Sequence, residues 1–232
     1  MKNVLLVLAL FFSSCGDNVT EGVADRDPID NALADMDNGR WDEAIEILED
    51  EIGGDEEPNL IYALLALAYA GKHGLDPLTY SIELTKTSDD GDEEGNAITN
   101  TFAALPEATD ENIAGIKTAA DFMALIPNDE KSLENVFLAS MLYSAHFSLI
   151  SKKFNTDGDA GLTAEELAGL SADEAAAIIE SLLAASDILS GTDLEGGDTD
   201  KAAEQIDAIQ DAIDDSEGAT DQEKLQNFLS NQ

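Results

Sequence analysis

The stretch GRWDEAIEILEDEIGG at residues 39–54 and the stretch PNLIYALLALAYAGK at residues 58–72 decide the fold. In each stretch apolar residues recur at intervals of three and four, which places their side chains on one face of an α-helix. Gly53, Gly54 and Pro58 lie where the two stretches meet, and these residue types end helices and form turns. The sequence therefore predicts two consecutive helices, over about residues 41–52 and 59–72, joined by a short turn.

The same two stretches carry a repeat pattern. Gly39-Arg40-Trp41-Asp42-Glu43-Ala44-Ile45 resembles the turn and second helix of a tetratricopeptide repeat, in which glycine closes the turn, an aromatic residue fills a groove and alanine permits close helix contact. Residues 59–72 match the first-helix pattern, and Ala32 precedes Ala66 by 34 residues, the period of the repeat. The resemblance implies a repeat core of Trp41, Ala44, Tyr62, Leu65, Ala66 and Tyr69.

A weaker echo of the repeat lies farther along the chain. Its first-helix positions are Val136, Ala139, Ser140 and Tyr143, preceded by a second helix and closing proline at Ile116, Ala119, Phe122 and Pro127. The resemblance covers roughly residues 28–151, with an altered turn at 75–77 and an acidic loop at 88–95. It implies stacked helix pairs with a concave binding surface. Plain helical packing without a binding groove is the alternative.

The rest of the chain has the same helical character. Ala, Leu, Glu and Asp dominate, and no stretch alternates apolar with polar residues over the length of a strand. Helices are predicted at about residues 28–38, 41–52, 59–72, 78–87, 97–104, 111–126, 130–153, 163–170, 172–189, 199–214 and 221–229. Capping boxes are expected where Thr163, Ser171 and Thr220 precede Glu166, Glu174 and Glu223. We predict an all-α fold without a sheet, with a tetratricopeptide-like antiparallel helix-pair array at 28–153 and a C-terminal helical segment at 154–232.

The stretch FNTDGDAGLTAEEL at residues 154–167 resembles the calcium loop of an EF-hand. Ca²⁺ takes six to eight oxygen ligands, which the twelve-residue loop supplies from fixed positions. The resemblance implies that the ligands are Asn155, Asp157, Asp159, the Gly161 carbonyl, Thr163 through a water and Glu166. Asn155 replaces the usual Asp and Ala160 the usual Gly, so we expect weak affinity, ~10⁻⁴–10⁻³ M. The alternative is a capped helical turn that binds no ion.

The N-terminus has the features of an export signal. Lys2 precedes the apolar run of residues 4–12, which is too short to span a membrane permanently. Phe12-Ser13-Ser14-Cys15 resembles a bacterial lipobox, although an aliphatic residue is more usual than Phe12. The resemblance implies removal of residues 1–14, an N-terminal lipid on Cys15 and a flexible tether at 15–27. Gly16, rather than an Asp, follows the cysteine, which favours the outer membrane, facing the periplasm.

The composition is strongly acidic. Fifty Asp and Glu residues against eleven Lys and Arg residues give a formal net charge of −39 at pH 7. Such a charge repels nucleic acid and anionic lipid surfaces, and it suits cations or basic partners. Adaptation to a saline medium is the alternative reason for it. The two histidines, His73 and His146, lie in unrelated contexts and no catalytic motif is found, so we do not expect an enzyme.

These features favour a membrane-anchored periplasmic scaffold or adaptor that binds another envelope protein, with Ca²⁺ as a structural ion. The alternative is a solute-handling accessory subunit of a transporter, which some tetratricopeptide-like lipoproteins resemble. A third reading is a calcium-dependent structural module similar to a lone dockerin-type unit, although the duplicated loop of that family is missing.

Overall fold

A computed structural model describes residues 27–54, 57–86, 102–155, 169–190, 211 and 213–229, and these residues are helical without any strand. The helices are α1 (Pro28–Asp37), α2 (Trp41–Asp50), α3 (Pro58–Lys72), α4 (Pro77–Lys86), α5 (Asp110–Ala124), α6 (Leu133–Phe154), α7 (Ala172–Ser190) and α8 (Asp221–Leu229). The prediction of an all-α fold built from helix pairs is confirmed. Cys15 and residues 156–168, which include all of the predicted calcium loop except Asn155, lie outside the described residues.

Side-chain caps mark where α5 and α6 begin. Thr109 Oγ1 accepts the N–H of Asn112 at the start of α5, and Ser132 Oγ accepts the N–H of Asn135 at the start of α6. The sequence placed the start of α6 near Glu130, and this is wrong. A 3₁₀ turn at Asn128–Glu130 comes first, and the helix begins only after the Ser132 cap, because the cap satisfies an N–H group that the first turn leaves unpaired.

The two capping boxes that fall within the described residues differ in form. At the start of α7, Ser171 Oγ accepts the N–H of Glu174, and Glu174 Oε2 accepts the N–H of Ser171, as predicted. At α8, Thr220 Oγ1 accepts the N–H of Glu223, but the Glu223 carboxylate accepts the N–H of Ala219 instead of that of Thr220. The second box therefore reaches one residue farther back along the chain.

The first three helices lie side by side and alternate in direction. The indole of Trp41, at the start of α2, packs over Gly71, near the end of α3. Next to it, Lys72 Nζ lies 2.6 Å from Asp42 Oδ1. The glycine matters here, because a Cβ at residue 71 would lie 2.5–2.8 Å from three ring carbons. Gly71 thus allows α2 and α3 to approach closely.

Helix α3 pairs next with α5, not with α4. The ring of His73, just beyond the end of α3, packs against Gly115 near the start of α5. The rings of Tyr69 and Phe122 lie 5.5 Å apart between their centroids, midway along the pair. At the other end, Asn59 Nδ2 donates to Glu130 Oε2 at 2.8 Å. These contacts show that α3 and α5 run antiparallel.

Helix α4 leaves the array and packs on α6. Leu75 is buried in the turn after α3. The hydroxyl of Thr79 donates a hydrogen bond to the Asp76 carboxylate at 2.7 Å, and this turn directs the chain away from α3. Tyr80 of α4 is inaccessible, and its hydroxyl lies 3.0 Å from Ser144 Oγ of α6. Residues 73–109 therefore form an insertion between two neighbouring helices of the array.

The array continues from α5 through α6 and α7 to α8. Lys153 Nζ, at the end of α6, donates to Asp110 Oδ1 at 2.7 Å and to Glu174 Oε1 at 2.6 Å, which ties the starts of α5 and α7 to it. The amide of Gln222 in α8 donates to the carbonyl of Leu170 just before α7. Consecutive neighbours α1, α2, α3, α5, α6 and α7 thus form one row of alternating helices.

Three groups of buried residues hold this row together. One lies between α1, α2 and α3, a second joins α3, α4, α5 and α6, and a third joins α6, α7 and α8. Helices α3 and α6 each contribute to two groups, so the core is continuous along the row. Burial of a leucine such as Leu65 or Leu142 contributes about 1.5–3 kcal/mol each, which makes these shared helices central to stability.

The contact of His73 with Gly115 leads to a testable expectation for Gly115→Ala. The added Cβ would lie 2.0–2.3 Å from the imidazole, and such overpacking costs about 1–3 kcal/mol, against about 1 kcal/mol gained in helix propensity. We expect a lower Tm by thermal denaturation. In a His73→Ala background the ring is gone, so the same substitution should be neutral or stabilising. A rise in Tm in both backgrounds would contradict the contact.

Candidate functional site

An open groove lies at the end of the row where α3 begins and α5 ends. Pro58 starts α3, and Pro127 follows α5, so the two prolines mark the two sides of the groove. Its lining residues are Glu57, Pro58, Asn59, Tyr62, Leu125, Pro127 and Glu130. The hydrogen bond from Asn59 to Glu130 crosses the groove and holds its two sides together.

Large apolar side chains are exposed at this same end. Leu125, in the groove, is 56% exposed, and Leu60, in the first turn of α3, is 44% exposed. Ile52, just after α2, and Phe137, in the second turn of α6, are each 45% exposed. Single exposed apolar residues are common, but four large ones at one end of the row, one of them in the groove, form the kind of surface that binds a partner.

Four exposed carboxylates lie on or close in sequence to the residues that line the groove. Glu57, Asp129, Glu130 and Glu134 are all exposed at this end of the row. The one basic residue among them, Lys131, donates to the backbone carbonyl of Ile126 and, at 2.7 Å, to Asn128 Oδ1. Partial burial lowers the pKa of Lys131. Its ammonium group therefore serves the turn between α5 and α6, and its single positive charge offsets only part of the charge of the four carboxylates.

The opposite end of the row holds most of the described cations, and each has partners there. Arg40 pairs with Asp35, Lys72 with Asp42, and Lys153 with Asp110 and Glu174. Lys152 Nζ donates to the carbonyls of Phe102, Leu105 and Pro106 at 2.7–3.0 Å, and burial lowers its pKa. Other exposed carboxylates, such as Asp37, Glu43 and Asp173, lie at that end as well, so both ends of the row carry excess negative charge.

The residues of the predicted repeat core divide into two kinds. Ala44, Leu65 and Ala66 are inaccessible to solvent, whereas Trp41, Tyr62 and Tyr69 are half-buried. Tyr62 lines the groove. Tyr69 donates its hydroxyl to Glu49 Oε1 at 3.1 Å, and burial together with that carboxylate raises the pKa of Tyr69. The alanines allow the helices to approach closely, and the aromatic residues lie along the edges of the contacts.

Most of the predicted ligand and lipid positions cannot be placed. Cys15, Asp157, Asp159, Gly161, Thr163 and Glu166 lie outside the described residues. Asn155 is described, and its N–H donates to the Ser151 carbonyl at 3.0 Å at the end of α6. Among the residues that the structure describes, no group of three His, Cys, Asp or Glu side chains is placed to hold a metal ion.

The sequence indicated Tyr62 and Pro127 as repeat residues but not as binding residues. It gave no functional role to the other lining residues Glu57, Asn59, Leu125 and Glu130. Leu125 is the one lining residue with a local sequence pattern that could have indicated the groove, because it is an apolar residue at a helix end close to a proline. The groove itself depends on α3 pairing with α5 across a 37-residue insertion at 73–109, and no local pattern shows that pairing.

His146 is a buried titratable residue away from the groove. It is 1% exposed in α6, and its Nδ1 lies 2.7 Å from Ser181 Oγ of α7. Burial, with a smaller effect from Lys117, lowers the pKa of His146 to about 4, although Asp121 acts in the opposite direction. The imidazole is therefore neutral at pH 7 and joins α6 to α7 as a packed, hydrogen-bonded core residue.

No family model, curated protein or solved structure matches this chain significantly. In the described part of the chain, no helix is both long and apolar enough to cross a bilayer.

The lowered pKa of His146 predicts a specific dependence of stability on pH. The unfolded chain takes up a proton near pH 6.5 and the folded chain only near 4, so stability is present above pH 6.5 and is lost as pH falls toward 4. The loss should reach about 3 kcal/mol. Between pH 6.5 and 4, we expect the unfolding free energy of the wild type to fall by this amount more than that of His146→Gln, as measured by urea denaturation. A constant difference across that range would contradict a buried neutral imidazole.

Proposed function

We propose that this protein is a lipid-anchored scaffold or adaptor of the bacterial envelope that binds another envelope protein through the α3–α5 groove. The supporting observation is the combination of four exposed large apolar side chains with an open groove at one end of a rigid helical row. Exposed apolar patches bordered by polar residues mark interaction sites in soluble domains.

The openness of the groove favours a protein partner over a small solute. Small-molecule sites are concave and bury most of the ligand surface. Here Leu60 and Leu125 face solvent, and Ile52 and Phe137 extend the apolar surface to the ends of neighbouring helices. A solute-handling subunit of a transporter, the alternative function, would instead use an enclosed apolar pocket.

A tetratricopeptide-like arrangement is part of the proposal. Its support is the alternating order of α1, α2, α3, α5 and α6, together with a buried alanine at a repeat position on each of them: Ala32, Ala44, Ala66, Ala119 and Ala139. In arrays of this type each helix pair buries only part of its apolar surface and the neighbouring pairs cover the rest, so the stack presents a concave surface to partners. The insertion that contains α4 is the main departure from the repeat.

The proposed location rests on the N-terminal sequence. Cleavage before Cys15 and acylation of its thiol and new amino group would attach the chain to the outer membrane, facing the periplasm, and each buried CH₂ would contribute about 0.8 kcal/mol. The tether at 15–27 would let the helical row reach a partner near the membrane. The net charge of −39 disfavours nucleic acid and anionic lipid headgroups as binding partners.

Calcium binding by residues 155–166 is a further part of the proposal. Its support is the run of six ligand positions, from Asn155 to Glu166, directly after the end of α6. The ion would serve a structural role, because it would neutralise carboxylates in a strongly acidic chain and fix the connection that follows α6.

Photo-crosslinking in living cells tests the scaffold function. A photoreactive amino acid at position 125 should give a discrete protein adduct in the membrane fraction, because Leu125 lies exposed in the groove. The same amino acid at position 37, exposed at the opposite end of the row, should give no such adduct. Cys15→Ser should abolish incorporation of labelled fatty acid into the protein and leave residues 1–14 attached. Equal adducts from both positions, or a Cys15→Ser protein that still incorporates fatty acid, would count against the proposal.

Calcium titration of the purified mature chain tests the ion site. With a Kd of ~10⁻⁴–10⁻³ M, Ca²⁺ at ~10 mM should stabilise the folded state by about 1.4–2.7 kcal/mol and raise Tm. Mg²⁺ should have a smaller effect, and Glu166→Gln should abolish the response because it removes the bidentate carboxylate. An unchanged Tm at that Ca²⁺ concentration would reject the site.

A further inference from the structure

The composition of the groove end defines the chemistry of what can bind there, provided that the groove is the docking site of the proposed function. Four of its seven lining residues are apolar or aromatic, namely Pro58, Tyr62, Leu125 and Pro127, and the other three are polar. A partner segment that covers the first four must bring apolar side chains, because burying charged or polar groups against them without partners is costly.

The rim of the groove is acidic and therefore favours basic side chains in the partner. Glu57 and Glu130 line the groove and are exposed, and Asp129 and Glu134 lie next to it on the turn and on α6. Lys131 is hydrogen-bonded within the turn, and its single positive charge offsets only part of the charge of these four carboxylates. An acidic partner would add like-charge repulsion here, whereas a basic one would be attracted and steered toward the groove.

We propose that the partner docks through an amphipathic segment whose apolar side chains occupy the groove over Tyr62 and Leu125, and whose Lys or Arg side chains pair with Glu57 and Glu130. Apolar contact supplies most of the affinity, and the charges supply the association rate and the selectivity. Neither feature alone suffices, so a basic segment without apolar residues binds weakly.

Peptide titration of the mature chain carrying Cys15→Ser, which is free of lipid, tests this inference. Three peptides of equal length are compared by calorimetry: one of Leu and Lys at amphipathic helical spacing, one of Leu and Glu at the same spacing, and one of Lys and Ser. We expect the Leu/Lys peptide to bind at least about tenfold more tightly than the other two, and to weaken as salt is raised.

Variants of the chain locate the binding. Glu57→Lys combined with Glu130→Lys, and separately Leu125→Ser, should each weaken the Leu/Lys peptide by about tenfold or more. Asp37→Lys, an exposed substitution at the opposite end, should leave its affinity unchanged. Circular dichroism of each variant confirms that the helical row is folded before its affinity is compared.

Several results would overturn the inference. Equal binding of Leu/Lys and Lys/Ser peptides would show attraction by net charge alone, and equal loss in Asp37→Lys would show that the groove is not the site. The inference would also be refuted if no peptide binds and the segment cross-linked to position 125 in cells is acidic or lacks apolar residues. That result would leave the scaffold function intact. Absence of both would refute both.

Discussion

Helix α3 is held on each side by a ring that packs over a glycine, with Trp41 over Gly71 toward α2 and His73 over Gly115 toward α5. An aromatic ring that packs over a glycine lets the two helices approach closely. The small buried alanines between the helices allow the same short distance. Because α3 is clamped near its C-terminal end by both contacts, its N-terminal end is fixed beside the end of α5. The groove is a direct consequence of this double contact.

Ion pairs and lysine hydrogen bonds to backbone carbonyls join several helix ends at one side of the row, where α2 meets α3 and where α5, α6 and α7 meet. Exposed ion pairs contribute only about 0–1 kcal/mol each, so the buried apolar groups and not these pairs supply most of the stability of the row. The other side has exposed large apolar side chains together with the carboxylates of the groove.

The sequence was sufficient for the features that depend on local patterns. Helical spacing predicted residues 59–72 where the structure has Pro58–Lys72, and the Ser171–Glu174 capping box was predicted correctly. The helix α6 begins three residues later than the sequence indicated, because a 3₁₀ turn at Asn128–Glu130 precedes the Ser132 cap. The groove could not be predicted, since Asn59 and Glu130 are 71 residues apart and meet only because α4 packs elsewhere.

Hydrogen–deuterium exchange on native membranes tests most directly the claim that the α3–α5 groove is occupied in the envelope. The backbone amides around residues 59–62 and 125–130 should exchange more slowly in membranes than in the detergent-purified protein. Amides at the opposite end, around residues 37–42 and 110–115, should exchange equally in both. Equal exchange at the groove in the two preparations, or protection confined to the opposite end, would contradict the account.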